Sequence, residues 1–303
     1  MPLSQQLELD PDPSAARTAR AWVIELLARL GRDDLAESAE LGVSELVTNA
    51  LLHAEPPVRL RLRGTREHPR IEVLDCSSSL PASAGATGGE DQLGNGGRGL
   101  DLVALFSRAW GSVVDSTGKL VWFEPTSAEP DGEPVVGHHV VNEDTFATEP
   151  EVAGERIAVR LLNFPVQEWA HFRAMYTELR RELRLLAITH PDDYPLATEL
   201  TELARTVDGH RLHSTGHAKL EAAIEAGQTT ADLTYEVPVT SVHDIPRLAG
   251  LLREAVRFCH EQNLLASAPS EEHVDLVAWY ADQFVQQAAG REASPWRGAA
   301  RSA

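Results

Sequence analysis

The segment Leu41–Ala54 sets three polar side chains, Glu45, Asn49 and His53, four residues apart in a largely apolar run. That spacing gathers them on one stripe of an α-helix. Burying a carboxylate and an amide costs free energy unless each finds a partner. Whatever packs over this helix must therefore satisfy the stripe or use it. Taken alone, the stripe fits a core-satisfying or capping role as well as a chemical one.

The surrounding pattern places this helix in a layered fold. Leu7-Glu8-Leu9 reads as a short strand, with turn and cap residues from Asp10 to Ser14. A helix is predicted from Ala15 to Leu30, stopped by Gly31. A second starts near Asp33 or Asp34 and continues to Ala54, where Pro56-Pro57 ends it. Strands follow at 58–63 and 71–76, around a turn containing Gly64. Residues 77–99 are rich in Ser and Gly and form a long loop. A short helix at 100–107 then leads into strands at 109–114 and 119–124. The order implies an α/β sandwich, a mixed sheet covered by helices on one face, over residues 1–125.

Residues 126–153, rich in Pro, Gly, Glu and His, read as a linker. A second, mostly helical α+β domain is predicted over 154–290. It has a strand at 156–162, a helix at 166–187, helices near 195–207 and 212–226, a strand at 233–237, and helices at 244–264 and 271–289. The fold class is thus α+β. On the 166–187 helix, Trp169, Phe172, Tyr176, Leu179, Leu183 and Leu186 alternate three and four apart, a seam for lengthwise packing within the domain or for a homodimer. The polar stretch 291–303 reads as a flexible tail.

Composition removes several function classes. The net charge of −19 disfavours nucleic acid unless a basic stripe compensates. The candidate stripe, Arg59, Arg61 and Arg63, alternates with Val58, Leu60 and Leu62, which reads as the solvated face of a half-buried strand. No apolar run reaches the roughly 18–20 residues a membrane span needs, and no secretion signal is apparent at the start. Two distant cysteines, Cys76 and Cys259, make a poor disulfide framework, so a cytoplasmic protein with reduced thiols is expected.

Two further segments carry chemistry. Val73-Leu74-Asp75-Cys76-Ser77 ends an apolar strand on an aspartate, followed by Pro81. A carboxylate there can accept from an exocyclic amino group, although Asp and Ser are also ordinary turn formers. Gly94-Asn95-Gly96-Gly97-Arg98-Gly99-Leu100 lies directly before a helix, where backbone N–H groups and the helix N-terminus favour phosphate.

Together, Glu45-Leu46-Val47-Thr48-Asn49-Ala50-x-x-His53-Ala54, Asp75-x-Ser77-x-x-x-Pro81 and Gly97-Arg98-Gly99-Leu100 resemble the N, G1 and G2 boxes of the GHKL (Bergerat-fold) ATPases. The similarity is strongest to the bacterial anti-sigma-factor serine kinase branch. Trp110-Gly111 and Gly118-Lys119-Leu120-Val121-Trp122-Phe123 look like that branch's closing strands, and the resemblance covers residues 5–125. It implies ATP and Mg²⁺ as cofactors. Asn49 would hold the metal and Glu45 would be general base or orienter of the nucleophile. Asp75, with Ser77 and Pro81 nearby, would bind the adenine amino group. Gly97 and Gly99 would shape the lid beside Leu100, and Arg98 could reach the phosphates. Lys119 joins the cofactor-binding set, as does His53, whose imidazole would support the helix against the sheet.

The implied function is a regulatory serine/threonine kinase acting on an anti-sigma antagonist, or a factor sequestering a sigma factor. A nucleotide-gated binding module and an ATPase without a protein acceptor are the alternatives. In the second region, Asp282–Gln287 can be laid on Ser44–Asn49, with Gln283 on Glu45 and Gln287 on Asn49. Coincidence between amphipathic helices explains that overlay more simply.

Overall fold

A computed structural model describes residues 6–12, 14–53, 56–77, 98–115, 118–127, 135–141, 155–212, 215–261, 264–265 and 269–298. The chain divides into two units, residues 1–145 with 262–265, and residues 146–261 with 266–303.

The first unit runs β1 (Gln6–Leu9), α1 (Ala15–Leu30), a 3₁₀ turn (Asp33–Leu35), α2 (Ala36–His53), β2 (Val58–Gly64) and β3 (Pro69–Asp75). It continues with α3 (Arg98–Leu105), β4 (Ser107–Asp115), β5 (Gly118–Pro125) and β6 (His138–Val141). Gly31 ends α1 at φ 67°, a left-handed cap that costs glycine little. The strands form one sheet in the order β1-β2-β3-β5-β4-β6, antiparallel throughout except for the β4–β6 pair. The mixed sheet of the sequence reading is therefore present. β6, however, falls inside the stretch 126–153 expected to be linker.

The core lies between the sheet and its three helices. Leu60, Leu62, Ile71, Val73, Val121 and Phe123 meet Val23, Leu26 and Leu27 of α1 and Val43, Leu46 and Val47 of α2. Each fully buried side chain of this kind contributes about 1.5–3 kcal/mol. Gly42 decides how closely α2 approaches, since a Cβ there would stand 2.5 Å from the Phe123 ring. On the sheet's other face the expected solvated arginine row is only partly found. Arg59 and Arg61 are half-buried and reach Glu8 (3.3 Å) and Gln6 (2.7 Å) on β1. Arg63 is buried, donating to the Leu265 carbonyl at 3.4 Å. Arg70 and Glu72 form a buried ion pair at 2.9 Å, with the guanidinium 5.8 Å from the Trp122 ring centre. Strand alternation correctly separates the two faces but does not report burial of the second.

The second unit comprises β7 (Arg156–Pro165), α4 (Val166–Thr189), α5 (Pro195–Leu212), α6 (Thr215–Glu225), β8 (Thr230–Pro238), α7 (Ser241–Glu261) and α8 (Glu271–Ala288). Its two strands pair antiparallel, with an irregularity between Leu161 and Phe164 where Asn163 takes φ 52°. The α4 seam is spent inside the chain. Trp169, Phe172, Tyr176, Leu179, Leu183 and Leu186 are all buried, so the seam packs within the chain. The expected tail is also partly ordered. The Trp296 N–H donates to Leu162 O at 3.0 Å, its carbonyl accepts from Asn163 at 2.8 Å, and its buried ring lies 5.4 Å from that of Trp279. Residues 299–303 fall outside the described residues.

Candidate functional site

Glu45 and Asn49 occupy consecutive turns of α2, both half-buried. α1 fixes the helix just before them, with Arg20 donating to Ser44 Oγ at 3.1 Å and lying 3.3 Å from Glu40. The chain re-enters above the pair at the first turn of α3. A Cβ placed on the buried Gly99 would stand 2.7 Å from Glu45 Oε2, 3.1 Å from Asn49 Nδ2 and 3.7 Å from Asn49 Oδ1. A side chain at this position would push the two polar tips aside. The buried Leu100 follows and anchors α3 in the core. Two of the three sequence-distant pieces are therefore brought together, with the N-terminal end of α3 over Glu45 and Asn49.

Asp75 closes β3 on the strand edge next to β5 and is buried. Its Oδ1 accepts from the Ser77 N–H at 2.8 Å and from the Ser77 hydroxyl, an Asx-type turn that fixes the carboxylate plane. The turn reading of this aspartate is thus present in the structure. Lys119, paired with Asp75 in the β3–β5 register, sets its Nζ 3.5 Å from Oδ2. Gly118 permits that juxtaposition. It has φ 132°, and a Cβ there would fall 2.1 Å from the Asp75 carbonyl oxygen. Neither the glycine nor the ion pair was legible as part of the site, because both depend on strand register.

The remaining expectations divide. His53 sits exposed at the end of α2, so it does not support the helix against the sheet. It lies on the same stripe one turn beyond Asn49, where apolar packing has ended. Arg98 begins α3. Pro81 and Gly97 lie outside the described residues.

The donor set suits a magnesium-bound nucleotide. Mg²⁺ typically takes only one or two protein oxygens and completes its octahedron with water and phosphate. Asn49 Oδ1 and Glu45 offer oxygens beside a helix N-terminus, itself favourable to phosphate. Among the described residues no helix is long and apolar enough to cross a membrane. Both cysteines are free thiols.

No curated protein matches the chain. Residues 9–124, from the end of β1 through Glu124 of β5, match the family model of the histidine kinase-like ATPase domain. The matched span contains Glu45, Asn49, Asp75, Gly99 and Lys119, so the part of the chain that builds the site is similar to an ATP-binding domain of the GHKL superfamily.

Proposed function

We propose that the first unit binds Mg-ATP and transfers its γ-phosphoryl group to a serine or threonine of a protein partner, as an anti-sigma-factor kinase acting on an anti-sigma antagonist. The observation that carries the reading is the approach of the Gly99 backbone to Glu45 and Asn49. It brings a carboxylate and an amide beneath the helix end that favours phosphate, which supports reading them as general base and metal ligand. The acceptor class rests on the resemblance of the three boxes to the anti-sigma branch.

In this reading the partner hydroxyl attacks the γ-phosphorus and the bond to the β-phosphate oxygen breaks. The hydroxyl proton passes to the Glu45 carboxylate, and ADP leaves. Asn49 would hold the metal, which when bound would offset the negative charge of the phosphates. Asp75 orients the base by accepting from its amino group, with Ser77 fixing the carboxylate. By the resemblance to the boxes, Arg98 would reach the phosphates, and Gly97 and Gly99 would shape the lid.

The test incubates the full chain with γ-labelled ATP and candidate antagonists, alongside Glu45→Ala. Label should appear on a partner serine or threonine and fall at least about 100-fold in the variant, while nucleotide binding persists. Tight ATP binding without transfer in either protein would make the unit a nucleotide-gated binding module instead. Phosphate release without labelled protein would make it an ATPase.

A further inference from the structure

Within the nucleotide reading, on which this rests, Asp75 selects the base. A carboxylate can do so only if its oxygens are held still. Asp75 is buried at the end of β3, where an uncompensated charge is expensive. Its two oxygens are held from different directions. Oδ1 takes the N–H and hydroxyl of Ser77, both from its own strand end. Oδ2 faces the Lys119 ammonium at 3.5 Å, from the neighbouring strand. The lysine side chain is only 11% exposed, so water screens the pair weakly. An ionised carboxylate has about four lone-pair sites, so these donors leave room for one more N–H.

We infer that Lys119 is a positioning residue for Asp75, holding its carboxylate in one orientation and thereby setting the preference for a 6-aminopurine nucleotide. Lys119 acts through the aspartate rather than on phosphate, because its ammonium is tied to the strand end by the Asp75–Lys119 register. Gly118 is part of the device. Its φ of 132° brings the start of β5 against the Asp75 carbonyl, and a Cβ would fall 2.1 Å from that oxygen.

A chemical double-mutant cycle tests this on the full chain. Dissociation constants are measured by calorimetry for ATP and for purine riboside triphosphate, which lacks the 6-amino group. The proteins are wild type, Lys119→Met, Lys119→Gln and Lys119→Arg. Deleting the amino group should weaken wild-type binding about tenfold to a hundredfold, the range of a hydrogen bond to a charged group. In Lys119→Met and Lys119→Gln the two nucleotides should differ by less than about threefold, and Lys119→Arg should restore most of the difference. A merely structural lysine would lower affinity for both nucleotides equally.

Equal discrimination by wild type and the neutral variants overturns the inference and leaves the nucleotide reading standing. Failure of both neutral variants to fold, seen as loss of the first unit's melting transition, makes Lys119 structural and also overturns it. A wild-type protein that binds no ATP overturns the nucleotide reading itself. One that binds both nucleotides equally removes Asp75 as the base selector.

Discussion

The helices α2 and α8 are both 18 residues long and carry polar side chains four residues apart, Glu45 and Asn49 on one, Gln283 and Gln287 on the other. Their surroundings treat these pairs in opposite ways. The chain closes both glutamines with its own groups. Gln283, buried, donates to Ser294 Oγ at 2.8 Å and accepts from the Ser294 N–H at 3.0 Å. Gln287 bonds the N–H and carbonyl of Arg160 at 2.9 and 2.7 Å, filling a position on the β7 edge as a strand would. Among the described residues, neither Glu45 nor Asn49 has a hydrogen-bond partner, and both face a glycine backbone. The same spacing is closed by the chain's own groups on α8 and left without described partners on α2. The overlay of Asp282–Gln287 on Ser44–Asn49 is thus a likeness of pattern without a likeness of use.

The most severe way to break this comparison is to damage one unit and ask whether the other notices. Phe172 lies in an aromatic cluster, 5.3 Å from Trp169 and 5.4 Å from Tyr176 between ring centres. Phe172→Glu would bury a carboxylate among these aromatic rings, a loss of roughly 3–5 kcal/mol. Calorimetry should show the second unit's transition lowered or lost, while the first unit still binds ATP. Loss of ATP binding in parallel would show that the open site depends on the second unit's core.

A milder substitution compares the two stripes directly. Gln283→Leu strands the Ser294 N–H and hydroxyl and should cost about 1–3 kcal/mol, read from urea unfolding. Glu45→Gln removes no described partner and should stay within about 0.5 kcal/mol of wild type. Reversal of that ranking would mean that Glu45, and not Gln283, is the structural member.

Much of this was legible because it is written locally. Gly31 and Pro56-Pro57 bound their helices as expected, and the α4 seam announced a buried stripe over its whole length. Glu45, Asn49 and Gly99 were recognisable from motif spacing, although their contact needed the fold. What stayed hidden is non-local. The Asp75–Lys119 pair exists only once β3 and β5 are in register. Trp296 sits in a polar tail, and its burial depends on Leu162, Asn163 and Trp279. β6 hid in a Pro- and Gly-rich stretch because its anchors are distant. Trp110 donates to Val135 O at 2.8 Å, and His138 stacks on Trp122 with ring centres 6.3 Å apart. Gly111 and Gly137 admit these contacts, since a Cβ on either would collide with the neighbouring element.

The two units also differ in how they close a sheet edge, and pH separates them. β7 is covered by Gln287 and by the backbone at Trp296, none of which titrates near neutrality. β4 is covered by β6, where His139 Nδ1 lies 2.9 Å from Ser112 Oγ and the imidazole sits edge-on to Trp110. Burial, with the charge of neighbouring His138, pushes the His139 imidazole below the usual histidine range. The undocked strand therefore binds a proton more readily than the docked one. Docking is strongest above pH of about 6.5, the ordinary histidine value, and weakens as pH falls toward the lowered one. Amide hydrogen exchange, corrected for intrinsic rates, should show β6 protection falling between pH 7.5 and 5.5. His139→Gln, which keeps a polar group for Ser112 but cannot titrate, should hold protection constant, and the Trp296 amide should not respond in either protein. An equal fall in the variant would assign the pH response to another group and leave the two edges alike.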